Sequence, residues 1–373
     1  MSTPDNSKKI VITTSDTQDA KVVAVTHQMK EAEQYALVRE VGNSATAKKG
    51  GVTAIAVLIM AGAGILGGLI AYGLNKLSDV LVDWEMRESW QANLTFTFIM
   101  AFSIGITLLV IDSATERNLQ KVGMSLAIGA PVAFVAGLAF GGVAHLIYSP
   151  WIESIYEDAQ RSVELGIIVT EAQFYDFINS KLHLARGVAW SIVGVSAGIT
   201  IGAASKSARR LAVTSIGGLL GGFLGGFVFD YFTGEASAQI FGMLATGLLI
   251  GLAMSVLEQA SKTRWIEIVS GGMAGKQFIL YKNDLTIGSS PRADITLIKD
   301  PAIPELAARL VIQGKQAVLE SLNPAVPVAV NGQVATRTVL VDGAQLTVGS
   351  SIVRYRERSN EKAAPTGGPV RLN

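Results

Sequence analysis

Long apolar stretches alternate with short polar segments between residues 52 and 257 of this chain. Six of them approach or exceed the roughly 20 residues that an α-helix needs to cross a hydrocarbon core. Backbone polar groups in lipid must be satisfied within the segment, so we expect these stretches to be helical. The predicted spans are Val52–Leu74, Leu94–Ile111, Val122–Tyr148, Val188–Ala204, Leu211–Phe232 and Ala236–Leu257.

After Arg264 the hydrophobic period changes from helical to two, which is the period of half-buried strands. Asn-Asp, Asn-Gly and Asp-Gly pairs between the short apolar runs mark turns. Many short strands in so small a segment predict a β-sandwich. The predicted strands are Trp265–Val269, Gln277–Tyr281, Leu285–Gly288, Ile295–Leu297, Ala308–Ile312, Ala317–Leu322, Pro327–Val330, Thr338–Val341, Gln345–Val348 and Ile352–Arg356.

These patterns predict an α-helical membrane bundle followed by an all-β domain. The polar segment 1–47 lacks a signal-peptide pattern and is expected to be a disordered cytoplasmic tail. A six-span membrane domain is expected at 48–260, the β-sandwich at 264–358, and a second flexible tail at 359–373.

Basic residues mark one side of the predicted bundle. Lysine or arginine flanks the first span and follows the second, fourth and sixth, whereas the alternate loops are more acidic. Cytoplasmic loops carry this positive excess, so both termini are predicted to be cytoplasmic in a bacterial-type inner membrane. The loop 150–186 is expected outside, with Trp151–Glu164 and Glu171–Leu184 as two amphipathic helices lying on the membrane.

Glycine is unusually frequent, with 39 residues, and recurs at four-residue spacing inside the spans. Glycines on one helix face let two helix axes approach closely and gain van der Waals contact. We therefore predict glycine zippers that pack the bundle, with an oligomer contact or a pore lining as alternatives. The predicted packing residues are Gly64, Gly68, Gly137, Gly141, Gly194, Gly198, Gly202, Gly218, Gly222, Gly226, Gly247 and Gly251.

The membrane region contains an internal repeat. The sequence Phe102–Thr107 recurs as Val195–Thr200, and each copy is followed by a basic turn and a glycine-rich span. The simplest interpretation is three helix pairs in one orientation, an arrangement that occurs in transporters and in scaffolds. Asp112, His145 and Asp230 lie near span ends, where a charge usually snorkels or caps a helix.

Composition and motifs argue against several classes of function. The formal charge of +1 gives no electrostatic basis for nucleic-acid binding. The absence of cysteine excludes thiolate metal sites and a cysteine nucleophile. The three histidines fall in three different regions, and no nucleotide-binding, zinc-protease or serine-hydrolase motif is present. The sequence therefore predicts no enzyme, no metal and no cofactor.

Four segments of the β domain resemble the forkhead-associated (FHA) domain in their order and spacing. They are Leu285–Leu297, Asp300–Val311, Val330–Gly332 and Asp342–Gly349, within about a quarter of the chain. The resemblance implies a strand sandwich with recognition loops at one end. It also implies a signalling or adaptor part that binds proteins, usually through phosphothreonine.

The residues that hold phosphothreonine in FHA domains are mostly replaced here. The resemblance places Ser289 at the position of the family's arginine, Pro304 at that of its serine and Ala307 at that of its histidine. Loss of the arginine removes the charged, bidentate partner of a phosphate dianion. The candidate binding loops comprise the retained Gly288, Asn331 and Gly332, the replaced Ser289, Pro304 and Ala307, and the neighbouring Ser290 and Arg292.

The sequence thus predicts a non-enzymatic, membrane-anchored scaffold or signalling adaptor. Its expected partners are the lipid bilayer and an unphosphorylated cytoplasmic protein or peptide, with self-association as a further option. A small transporter or channel that is regulated by the FHA-like module is the alternative. True phosphopeptide recognition with Arg292 as the phosphate ligand is a third interpretation.

Overall fold

The computed structural model describes residues 54–83, 89–229, 235–298 and 300–358 of the 373-residue chain. The two predicted tails, 1–47 and 359–373, lie outside these residues. Within the described part the chain forms six α-helices: α1 (Ala54–Leu81), α2 (Ser89–Ala114), α3 (Leu119–Glu164), α4 (Glu171–Ala204), α5 (Ala208–Phe229) and α6 (Glu235–Ser261). Each is long and apolar enough to cross a membrane, which confirms the prediction of six spans.

Eleven strands follow the helices and form a sandwich, as predicted. They are β1 (Arg264–Ile268), β2 (Gln277–Ile279), β3 (Asp284–Gly288), β4 (Ile295–Thr296), β5 (Ala308–Gln313), β6 (Gln316–Ser321), β7 (Ala329–Val330), β8 (Gln333–Val334), β9 (Arg337–Leu340), β10 (Gln345–Val348) and β11 (Ser351–Glu357). The sequence prediction missed β8, because this two-residue strand has both side chains exposed and no apolar alternation.

The six helices pack as a closed ring in chain order. Each helix contacts the next, α1 contacts α6 to close the ring, and α2 additionally touches α4. The α2–α4 contact brings the two copies of the internal repeat together. A Cβ atom on Gly105 would lie 3.3 Å from both the Cα of Ala197 and the hydroxyl of Thr200.

Helices α4 and α5 approach each other backbone to backbone. A Cβ atom added to Gly194 would collide with the carbonyl oxygen of Gly218, and one added to Gly198 would collide with that of Thr214. The contacts of Gly202, Gly222 and Gly226 continue this antiparallel seam along the helices. Only glycine permits such a distance between two helix axes.

Helices α1 and α6 form a second seam of the same kind. Cβ atoms on Gly64 and Gly247 would each collide with the other residue's carbonyl oxygen. Gly68 and Gly251 lie against the backbones of Met243 and Met60. By contrast, Gly137 and Gly141 face side chains of α2, those of Phe98 and Thr97, so the α2–α3 contact is looser.

The segment 150–186 differs from its prediction. Its two helical pieces are not separate helices but continue α3 and α4 without interruption. Helix α3 has 46 residues and is about 69 Å long, more than twice the thickness of a hydrocarbon core. The two extensions form a hairpin because they share a small apolar core of their own: Ile155, Ala159, Ile178, Leu182 and Ala185.

The sandwich consists of two sheets over one apolar core. The six-stranded sheet has the order β2-β1-β11-β10-β7-β8, and the five-stranded sheet has the order β4-β3-β5-β6-β9. Alternate residues of both sheets point inward, so strands such as Leu285–Ile287 and Leu346–Val348 supply the core. Tyr355 fills its centre and is fully buried.

Candidate functional site

The predicted recognition loops leave the carboxyl end of β3 and run towards β5. Gly288 ends β3 and packs closely against the loop that precedes β5, since a Cβ atom there would collide with the carbonyl oxygen of Glu305. The next two amides are already bonded: Ser289 N donates to Pro304 O at 3.0 Å, and Ser290 N donates to Glu305 O at 3.2 Å. These amides are therefore not available to an anion.

The two replaced positions on the facing loop are also structural. Pro304 offers no amide hydrogen and its carbonyl accepts the bond from Ser289. Ala307 is fully buried, and its amide donates to Ile287 O at 2.8 Å. A larger side chain at Ala307 would have to displace the core, so the position is part of the packing rather than of a binding surface.

Arg292 lies on the surface of the β3–β4 loop and is exposed. Its amide donates to the Ser290 hydroxyl at 3.3 Å, which fixes the loop but leaves the guanidinium directed outwards. Asp294, two residues on, pairs with Lys282 at 2.7 Å and accepts from the amide of Thr286. Burial alone would raise the pKa of Asp294, but the bonds from Lys282 and Thr286 outweigh it and hold that pKa below its ordinary value.

Asn331, which the sequence places among the candidate binding residues, lies outside the loops between β3 and β5. It forms the turn between β7 and β8 with Gly332, and both residues have positive φ, 51° and 83°. This is the Asn-Gly geometry of a tight hairpin. The Asn331 side chain accepts from Gln345 N at 2.9 Å and so ties the hairpin to β10.

Sequence reasoning missed Asn323 instead. Leu322 N donates to Ala307 O, which places the start of the β6–β7 loop beside the recognition loops. The Asn323 side chain accepts from Ala325 N at 3.0 Å and shapes this loop as a local turn. The Asn-Pro pair that it forms with Pro324 was the available signal, because such pairs initiate turns.

Asp300 holds the loop before β5 to the turn between β10 and β11. Its carboxylate accepts from the amide of Ser350 at 2.7 Å, from the Ser350 hydroxyl at 2.8 Å and from Ala302 N at 3.0 Å. Burial would raise the pKa of Asp300, but these bonds reverse the shift and lower it. The site residues are thus fixed by internal bonds.

The sandwich contacts the ends of the helices along the edge that β2 and β4 form. Lys121, just after the start of α3, donates to Asp294 O at 3.0 Å, beside β4. Arg117 reaches Gly272 O at 3.5 Å, and Lys262 at the end of α6 reaches the Gln277 side chain in β2 at 3.3 Å. Contacts at both ends of this edge fix the orientation of the sandwich on the bundle.

A network of charged groups lies at the centre of this interface. Arg210 of α5 pairs with Asp112 of α2 at 2.8 Å and with Glu258 of α6 at 2.6 Å. The hydroxyl of Tyr281, between β2 and β3, donates to the same Glu258 carboxylate at 3.3 Å. Three helices and the sandwich therefore meet at one guanidinium, whose side chain is only 18% exposed.

Lys276 gives this interface a pH dependence. Its ammonium donates to the Thr115 hydroxyl at 3.1 Å, and burial lowers its pKa to about 8 although Glu116 and Asp112 oppose the shift. The unfolded chain holds this proton more tightly, so Lys276 costs stability below pH 8 and the cost disappears as pH rises from about 8 to 10.5.

We expect Lys276→Met to abolish this part of the pH dependence. The measurement is the midpoint of denaturant unfolding in mild detergent at pH 7.5 and at pH 9.5. The exposed Lys315 provides the control, because Lys315→Met should keep the pH dependence of the parent chain. An unchanged slope in Lys276→Met would contradict the assignment.

Six membrane helices joined to an FHA-like sandwich define a membrane protein that carries a protein-interaction module. Residues 267–358 match a family model described as the cytoplasmic domain of an inner membrane component of the T3SS, the type III secretion system. The chain is accordingly a membrane protein with a cytoplasmic domain, and the predicted FHA-like domain behind a multi-span region is confirmed.

Solved structures that resemble the sandwich have FHA folds or belong to a secretion system. The cytoplasmic domain of the T3SS sorting platform protein PscD from P. aeruginosa is 21% identical, with 30% of this chain and 98% of that chain covered and a TM-score of 0.24. The FHA domain of the CT664 protein from Chlamydia trachomatis is 20% identical, with 26% and 100% covered and a TM-score of 0.25.

A third structure comes from work on phosphothreonine-dependent FHA interactions. It is 22% identical, covers 26% of this chain and 96% of its own, and has a TM-score of 0.24. No curated protein matches the chain.

Proposed function

We propose that this protein is a membrane-anchored scaffold whose FHA-like module recruits a cytoplasmic protein without reading phosphate. The observation that carries the proposal is the state of the recognition loops. The Ser289 and Ser290 amides donate to the carbonyl oxygens of Pro304 and Glu305, and Ala307 is buried. A phosphate dianion would meet two carbonyl oxygens where it needs charged donors.

The proposed topology places both termini in the cytoplasm. The sandwich contacts Arg117, Lys121 and Arg210 near the helix ends, and such basic residues mark the cytoplasmic side. Helix α1 runs antiparallel to α6, so its first residue lies on the same side as the sandwich. The outer hairpin then projects from the opposite side.

The coupling of the module to the bundle supports a scaffold. A module on a flexible linker would take many orientations relative to the membrane. Here only residues 262–263 separate α6 from β1, and the ion network of Arg210 adds a second, rigid connection. The module therefore presents its partner at a fixed orientation above the membrane.

The test is binding of phosphothreonine peptides to the full-length protein in lipid nanodiscs, beside the same peptides without phosphate. We expect phosphate to give no gain in affinity. Arg292→Ala is the matched variant, because Arg292 is an exposed cation of the β3–β4 loop. Micromolar capture that requires phosphate and disappears in Arg292→Ala would overturn the proposal in favour of phosphopeptide recognition.

The transporter or channel alternative remains a prediction. Of the span-end residues Asp112, His145 and Asp230, Asp112 pairs with Arg210, His145 is half-buried in α3, and Asp230 lies outside the described residues. The backbone contacts along α4–α5 and α1–α6 favour a closed bundle over a path between these helices.

A further inference from the structure

The edge of the sandwich opposite the bundle is formed by β8 and β9. Strand β8 ends the six-stranded sheet and β9 ends the five-stranded sheet. Only residues 335–336 connect them, so both strands lie on the same side of the sandwich. The bundle holds the other side, where β2 and β4 end the two sheets. The β8–β9 edge therefore points away from the membrane into the cytoplasm.

The backbone of β9 offers hydrogen-bonding groups at this edge. Ser321 N donates to Thr336 O, so the even-numbered residues of this segment direct their backbone groups to β6. Because these directions alternate in an antiparallel ladder, Arg337 and Val339 direct theirs outwards. In the described part of the chain β6 is the strand paired with β9. An edge of this kind is a template for a further strand.

The side chains along β9 make the edge apolar between two charges. Val339 is 49% exposed and lies opposite the buried Val318 of β6, and Val341, which follows β9, is 64% exposed. Arg337 lies at one end, 63% exposed and beside Glu320, and Asp342 lies just past the other end, 55% exposed and beside Arg356. An antiparallel strand would match this edge with a basic residue near its start and an acidic residue near its end.

The β9 edge of a second copy in the same membrane cannot supply that strand. Two β9 edges pair antiparallel only about a twofold axis perpendicular to the sheet. The sheets stand upright on the bundle, so this axis would lie in the membrane plane and would place the two bundles in different membranes. The open edge thus suits a soluble cytoplasmic protein.

We propose that β9 binds an extended segment of a cytoplasmic protein by strand addition. The segment runs antiparallel to β9, carries β-branched residues opposite Val339 and Val341, and places a lysine or arginine near Asp342 and an acidic residue near Arg337. Main-chain bonds supply the affinity in this mode, and the side chains supply the register. The proposal rests on the cytoplasmic scaffold role, to which it adds the surface and the class of partner.

The probe is a fluorescent peptide that contains Lys-Val-Ile-Val-Thr-Glu, titrated against the full-length protein in nanodiscs. The second valine of the peptide would lie opposite Val339, and the amide of each would donate to the carbonyl oxygen of the other. We expect N-methylation of that valine to abolish binding, whereas N-methylation of the isoleucine, whose amide points away, leaves binding intact. Val339→Pro, which removes an outward donor without breaking a β6 bond, should weaken binding at least about tenfold. Val339→Thr keeps a β-branched side chain and should leave the affinity for the peptide unchanged.

Equal binding of the two N-methylated peptides, or unchanged affinity in Val339→Pro, would overturn strand addition. Equal binding of the charge-reversed peptide Glu-Val-Ile-Val-Thr-Lys would overturn the antiparallel register. Tighter binding to a chain that lacks residues 1–53, or to one that ends at Arg358, would show that a segment of this chain occupies the edge, and would overturn the assignment to another protein. These outcomes leave the phosphate test of the recognition loops unaffected, so the two proposals fail independently.

Discussion

Replacement of Arg210 by methionine should lower the free energy of unfolding by about 3–5 kcal/mol, the range for removing one partner of a buried ion pair. The carboxylates of Asp112 and Glu258 would then lose the guanidinium that both share. Two like charges would remain at the interface between the bundle and the sandwich. Methionine fills much of the arginine volume, so the loss reports charge rather than a cavity.

The measurement is denaturant unfolding in mild detergent, with two reference variants. Arg337→Met removes an exposed ion pair with Glu320 and should cost about 0–1 kcal/mol. The triple variant that adds Asp112→Leu and Glu258→Met to Arg210→Met should recover a large part of the loss, because no buried charge is then left unpaired. An Arg210→Met protein as stable as the parent would refute the role of the network.

Replacement of Gly218 by leucine should destabilise the bundle by about 3 kcal/mol or more, at or above the upper end for overpacked sites. The added Cβ atom would collide with the carbonyl oxygen of Gly194, and backbone cannot be relieved by a change of rotamer. Helices α4 and α5 would have to separate along their whole seam. Gly194→Leu should act in the same way, since the contact is reciprocal.

Gly142→Leu is the matched control for the glycine prediction. It makes the same chemical change in a membrane helix, but a Cβ atom at Gly142 meets nothing within 4 Å. The midpoint temperature of thermal unfolding in mild detergent should therefore change little in this variant and fall sharply in Gly218→Leu. Similar losses in both would mean that leucine acts through helix propensity or insertion, and not through the α4–α5 contact.

The predicted architecture follows from local patterns of sequence. Hydrophobic length set the six spans, and the change of period near Arg264 set the start of the sandwich. These features need no knowledge of partners, because the burial of an element depends on its own pattern of side chains. The four-residue glycine spacing in the same way predicts which face of a helix is smooth, that is, without side chains.

The pairing of those faces was not readable from the sequence. Gly218 meets Gly194 and Gly64 meets Gly247, but spacing alone does not say which smooth face packs on which. Asp112 is the clearest example among the charges. It was interpreted as an ordinary helix-end charge, whereas it pairs with Arg210, 98 residues away. Only the closure of the ring brings these residues together.

The candidate site shows the same division. The sequence predicts that the family's charged phosphate ligand is replaced, since the resemblance places Ser289, Pro304 and Ala307 at the positions of its phosphate-binding residues. It could not separate Asn331, a hairpin turn residue, from Asn323, which lies beside the loops, because both follow apolar residues. The tertiary structure decided this through the bond from Leu322 to Ala307, and it alone showed that β9 ends its sheet within the described residues. Composition and period belong to a segment, whereas register, pairing and exposure depend on what the rest of the chain places beside it.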